Sequence, residues 1–167
     1  LAYFAQEPVH RRWHHHKLTF AMMYAYSERF VLPLSHDEVV HGKGSLLRKM
    51  PGDRRQQMAN LRAYLSYLGA HPGKQLLFMG CEFGQESEWA ESRELDWWLL
   101  DHSEHRGLLN LVRDLNATYA ATPALWQQDP EPGGFPWLDA NDAARTVVSW
   151  AGWALDRPPL AGIVNFS

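Results

Sequence analysis

Two short apolar runs in this chain each give way at once to a cluster of chemistry-bearing residues. Phe30-Val31-Leu32-Pro33-Leu34 runs into Ser35-His36-Asp37-Glu38, and Gln75-Leu76-Leu77-Phe78-Met79 runs into Gly80-Cys81-Glu82-Phe83-Gly84. Between them Met58, Leu61, Leu65 and Leu68 recur at helical spacing, behind an N-capping Asp53 and ahead of Gly69 and Pro72-Gly73. After the second run Leu108, Leu111, Val112, Leu115 and Tyr119 form an amphipathic stripe over 104–120, closed by Pro123. Strand, helix, strand, helix calls for a parallel sheet with helices packed on it, because only a crossover returns the chain to the same end of the sheet. The predicted strands, 30–34 and 75–79, read as buried; Pro33 weakens the first, since proline offers no ladder donor. Polar residues just past both strands fall at the carboxyl-terminal edge, where α/β barrels build their sites. His36, Asp37 and Glu82 are thereby expected at one mouth. Two strand–helix units cannot close an eight-stranded barrel, so the sheet edges are expected to need more chain.

The flanks read differently. Leu18, Met22, Met23 and Tyr26 suit a helix over 13–28. Residues 42–52 read as a loop, and 85–103 as a loop rich in tryptophan and acid. After Pro130, Pro132, Gly133 and Gly134 the period falls to two: Thr146, Val148 and Trp150 alternate with Val147 and Ser149, and 163–166 is a further strand. This tail reads as the start of an all-β domain.

Composition excludes several classes of function. A chain of 167 residues, 46% hydrophobic and 21% charged, can bury a core. Its net charge of -3 leaves no basic field for nucleic acid. Its apolar runs are a few residues long, against about 20 for a membrane-spanning helix. Cys81 is the single cysteine, which rules out an internal disulfide and suits a reducing compartment. With no signal peptide in view, a cytoplasmic location is expected. The sequence starts at Leu1 and ends in a strand-like stretch, so it is expected to be a piece of a longer protein. Eight tryptophans stand out. They suit core packing, and flat apolar rings also suit the faces of sugar rings.

Several residues invite chemistry. Asp37 and Glu38 are neighbours, and on a strand neighbours point to opposite faces, so they make a poor acid/base pair. Asp37 with Glu82, from two adjacent strand ends, is the more plausible carboxyl pair; retaining glycosidases hold theirs about 5 Å apart. Against this, Glu82 also reads as a structural carboxylate near a tight turn, Asp37 as a loop cap and His36 as a core histidine. His14-His15-His16 cannot turn three consecutive rings toward one ion from a helix, so no metal is expected. Lys43 between Gly42 and Gly44 suggests a phosphate cradle, yet the full P-loop pattern is missing. Cys81 reads as a buried thiol.

The run from Phe30 to Lys43, continuing as Ser45-Leu46-Leu47-Arg48-Lys49-Met50-Pro51-Gly52-Asp53, closely resembles the bacterial 1,4-α-glucan (glycogen) branching enzymes. So do Ala59 to Tyr64, His71-Pro72-Gly73-Lys74, Leu77 to Gly80, Glu82-Phe83-Gly84-Gln85, Glu88-Trp89, Leu95-Asp96-Trp97 and Val112 to Asn116. The resemblance is collinear over nearly the whole chain and loosens after about Asp129. Cys81 and Trp98 depart from the family's common pattern.

The resemblance implies an α-amylase-superfamily fold: 1–124 as the C-terminal part of a (β/α)8 TIM barrel and 125–167 as the first strands of a β-sandwich. It implies cleavage of an α-1,4-glucan and transfer of the segment to a 6-hydroxyl, making an α-1,6 branch by a retaining mechanism. Asp37 matches the family's third catalytic carboxylate, a transition-state stabiliser, and His36 the histidine that hydrogen-bonds the sugar. Glu38, Lys43, Trp89 and Trp97 are expected at the substrate. The family's nucleophilic Asp and acid/base Glu lie upstream, and no segment here matches them, so the chain alone is expected to be inactive. No cofactor is implied; the expected partners are an α-glucan and the rest of a parent chain, with no nucleic acid or membrane. A non-catalytic α-glucan-binding protein using Trp89, Trp97 and Trp98, or an amylase-type hydrolase, are the alternatives.

Overall fold

The computed structural model of the chain describes residues 1–23, 25–27 and 31–167, the side chains of residues 32 and 33 excepted. Strand β1 (Val31–Leu34) and strand β2 (Lys74–Leu77) pair in parallel, with Val31 opposite Lys74 and Leu34 opposite Leu77. Phe30, the expected start of the first strand, lies outside the described residues. Between the strands runs α2 (Arg54–Ala70), and after β2 comes α3 (Ser103–Ala121), packed against it. Ahead of both lies a single turn, α1 (His16–Thr19).

Local chemistry starts α2 where expected. The Asp53 carboxylate accepts the Gln56 N–H at 2.9 Å, and the Gln56 side chain accepts the Asp53 N–H at 2.7 Å, a reciprocal capping box. The helix then buries two faces. Leu61 and Leu65 turn toward α3, where Leu108 is fully buried and Leu111, Val112 and Leu115 pack in. Asn60, Tyr64 and Tyr67 are also buried, and the tyrosines join an aromatic cluster with Phe4, Phe166 and Trp150. Phe4 and Phe166 meet edge-to-face at 5.0 Å, which ties the two ends of the chain together. Arg11, 2% exposed, donates beneath this cluster to the carbonyls of Gln6, Phe4 and Phe166 and to the Asn60 side chain.

The C-terminal strands β3 (Trp137–Asp142), β4 (Val147–Gly152) and β5 (Leu160–Asn165) form an antiparallel meander with β4 central. Val148 and Trp150 are buried, as their period of two demands. Thr146, expected in the strand, instead sits in the turn before it at φ 53°, with its carbonyl accepting the Phe166 N–H. The last strand begins at Leu160, and within it Gly162 lies against Trp150: a Cβ there would stand 2.3 Å from the indole.

Two expectations are corrected. The helix over 13–28 is broken into 3-10 turns at Pro8–His14 and Phe20–Met23 around α1. Leu18 is the one buried residue of α1 and Met23 is 80% exposed, so no continuous apolar face holds a long helix together. Nor are β1 and β2 buried on both faces: Val31, Leu76 and Met79 are exposed. Gln75 and Leu77 face Leu65, Leu68, Val112 and Leu115 across a groove, which turns Leu76 the other way. Among the described residues no helix is long and apolar enough to cross a membrane. The architecture is mixed α/β: a parallel pair covered by helices, then an antiparallel meander.

Candidate active site

The parallel ladder decides where the site forms. The Leu34 carbonyl accepts the Phe78 N–H at 2.8 Å, one step past the paired residues, so both strands release their chains at the same edge. From there His36–Glu38 folds into a 3-10 turn. That turn replaces the strand geometry expected for Asp37 and Glu38 and separates them by local curvature. Asp37 is exposed and accepts a short hydrogen bond from the Ser35 hydroxyl. This bond, with help from its own amide, His36 and Lys43, holds its carboxyl below the usual carboxylate range. Glu38 turns to Lys49, whose ammonium donates to it at 2.9 Å. The expected sugar contact is thus an ion-paired side chain in this structure.

Aromatic rings back the turn. The His36 ring stands 6.1 Å from Phe78, and Phe78 meets Trp89 edge-to-face at 5.2 Å. The Trp89 N–H donates to the Val39 carbonyl at 2.8 Å, so Trp89 docks beside the turn half-buried. Lys43 is exposed on the loop that follows, between Gly42 at φ 78° and Gly44 at φ 75°. The Glu88 carboxylate accepts the Gly44 N–H at 2.7 Å, with His41 Nδ1 3.6 Å away. The Gly44 bond above all holds the Glu88 carboxyl below its ordinary value.

The second loop is built inward. Cys81–Phe83 forms a 3-10 turn between Gly80 and Gly84, both left-handed. Burial, then the Glu82 charge, pushes the Cys81 thiol up to about 12, as suits an inert buried thiol. Glu82 is half-buried. His105, 1% exposed, donates through Nδ1 to the Phe83 carbonyl at 2.7 Å, leaving Nε2 to accept from Arg54 at 2.6 Å. Arg54 also bonds Glu86 and Glu104. Loop, α2 and α3 are thus bound together by charged hydrogen bonds.

Trp97, 52% exposed, lies over buried Phe83 at 5.3 Å, and Trp98 stands beside His102. The histidine triplet diverges: buried His15 bonds the Ala140 carbonyl through Nε2 at 3.0 Å, while His16 is exposed. Among the described residues no three His, Cys, Asp or Glu side chains gather to hold a metal. Sequence reasoning missed Lys49, Phe78 and Glu88 as parts of this neighbourhood. Glu88 lies 44 residues from its amide partner Gly44, and no local pattern signals such a pairing.

Relatives of known name share this segment. No family model matches the chain. A 1,4-alpha-glucan branching enzyme GlgB of Leifsonia xyli subsp. xyli is 60% identical over 167 residues, covering 100% of this chain and 23% of that protein. One from Frankia casuarinae is 59% identical over 170 residues, covering 100% of this chain and 21% of that protein. One from Pseudomonas fluorescens is 56% identical over 167 residues, covering 100% and 22%. Along its whole length the chain is therefore similar to a segment of the branching enzymes, and it spans less than a quarter of the length of these relatives.

Proposed function

We propose that this chain supplies one wall of the active site of a 1,4-α-glucan branching enzyme of glycogen biosynthesis. In this reading 1–124 is the last part of a (β/α)8 barrel, 125–167 begins a β-sandwich, and the location is cytoplasmic. The parent cleaves an α-1,4-glucan and passes the cut segment to a 6-hydroxyl with retention. A carboxylate attacks the anomeric carbon, the leaving glucan takes a proton from an acid, and the acceptor 6-hydroxyl then displaces the carboxylate and returns a proton. Both of those carboxyl groups come from outside residues 1–167, so the chain alone is inactive.

Asp37 has a different task. An exposed, ionised carboxylate at a strand end can accept hydrogen bonds from sugar hydroxyls. Such bonds strengthen as the ring gains oxocarbenium charge, so they lower the barrier more than they tighten ground-state binding. His36 adds a further hydrogen bond, with Phe78 behind its ring. Trp89, Trp97 and Lys43 border the glucan path.

The observation that supports this reading best is the place of Asp37: on the turn leaving β1, exposed and charged, in a chain 56–60% identical to branching enzymes along its whole length. The test is a chimera in which residues 1–167 replace the matching stretch of the Leifsonia relative. It is expected to form α-1,6 branches on amylose, with a melting transition close to the parent's. A folded chimera that makes no branches, or only hydrolyses, overturns the reading. Branching by residues 1–167 alone overturns the inactive-chain part of it.

A further inference from the structure

We infer that Glu88 is a positioning residue of this site: its carboxylate pins the Gly44 amide next to Lys43, while its neighbour Trp89 holds Val39, and together they set where the Lys43 ammonium stands relative to Asp37. The inference rests on the proposed role of Asp37.

Three observations converge on it. First, the carboxylate takes the amide of Gly44, the residue immediately after Lys43, at 2.7 Å. Gly42 and Gly44 both have left-handed φ, and a Cβ at either would meet nothing within 4 Å. Their conformation, not a lack of space, is what calls for glycine on either side of Lys43. Second, Glu88 is itself held in place. Its carbonyl accepts from the Arg93 guanidinium, and next to it the Trp89 N–H bonds the Val39 carbonyl. Val39 is the residue after the His36–Glu38 turn. Residues 88 and 89 therefore grip the 39–44 loop at both ends. Third, the loop has little else to hold it. His41, Gly42 and Lys43 are exposed, and its own backbone contributes the bonds from the Val40 N–H to the His36 carbonyl and from the Lys43 N–H to the Val40 carbonyl. Lys43 is one of the charges acting on Asp37, so the clamp reaches the carboxylate through that ammonium. The Gly44 bond first, and the Arg93 cation among the weaker influences, hold the Glu88 carboxyl below its ordinary value, so it is ionised at neutral pH.

The experiment uses the chimera with Glu88→Ala, Glu88→Gln, Lys43→Ala, the Glu88→Ala/Lys43→Ala pair and, separately, Asp37→Asn. Glu88→Ala is expected to lower turnover about tenfold, the loss of one charge-assisted hydrogen bond. Glu88→Gln is expected to fall between, since its amide oxygen still accepts the Gly44 N–H. The pair is expected to be no slower than Lys43→Ala alone, because Glu88 acts through Lys43. Amide exchange at Gly44 is expected to speed up in both Glu88 variants, a readout independent of activity. Unchanged exchange at that amide, additive losses in the pair, or full turnover in Glu88→Ala overturns the inference. If Asp37→Asn keeps full turnover, the reading of the site fails instead; if Asp37→Asn collapses while Glu88→Ala is neutral, only the inference fails.

Discussion

The two loops that leave the parallel strands are built in opposite ways. The first, after β1, displays its charges: Asp37, His36 and Lys43 are exposed, and the clamp on the loop comes from Glu88, far along the chain. The second, after β2, hides its groups: Cys81 and Phe83 are buried, and His105 and Arg54 bind the loop to both helices. The same edge of one sheet thus carries an exposed, charged turn beside a structural brace. A site needs charged groups held in place yet open to substrate, and the brace supplies the stiffness that open loops lack.

Substitutions sharpen that contrast, the largest effect first. Asp37→Asn in the chimera is expected to cut turnover by roughly a thousandfold while glucan affinity changes little, the pattern of an interaction made mainly in the transition state. Its melting temperature is expected to stay put. Steady-state kinetics beside a thermal melt shows this, and a stability loss equal to the activity loss breaks the contrast. His105→Ala is expected to do the reverse. It strands a buried Phe83 carbonyl and removes one partner of Arg54, costing about 2–4 kcal/mol in a denaturant titration.

Acid acts in opposite senses on Asp37 and on His71, which caps α2 ahead of β2. His71 is buried against Tyr67 and Phe135, and burial lowers it from 6.5 to about 4. The unfolded chain therefore binds the extra proton across that window. The neutral imidazole's contribution is complete above about pH 6.5 and shrinks as pH falls toward 4, by on the order of 3 kcal/mol. Denaturant stability measured at pH 7 and pH 4.5 should show this slope, and His71→Phe should flatten it. Asp37 has the opposite sense: its folded carboxyl lies below the ordinary value, so it stays charged as pH falls through the range where His71 begins to titrate. The smallest effect expected is Asp53→Ala, about 1 kcal/mol from the lost capping box, with turnover unchanged.

Much of this was legible along the chain. The capped helix at 54–70, the stripe of α3 and the parallel pairing of the two strands follow from spacing and from Asp53, because local periodicity records which face meets a neighbour. The same logic overreached at 13–28, where apolar residues recur without one buried face, and at Leu76, where helices cover only one side of the sheet. Tyr64 and Tyr67 also escaped it, since α2 packs on two sides and its second apolar face is written in tyrosines.

The order of the elements, and the presence of His36-Asp37 at a strand end, were determined by sequence alone. Local hydrogen bonding and alternation act over a few residues, and both are spelled out in the order of side chains. The partners of those residues were decided only by the fold. Lys49 paired with Glu38, and Glu88 reached back across 44 positions to hold Gly44. His105 crossed from α3 to the Phe83 carbonyl. Such contacts form between residues that share no local period, because packing α3 against α2 and β2 brings them within a hydrogen bond of one another.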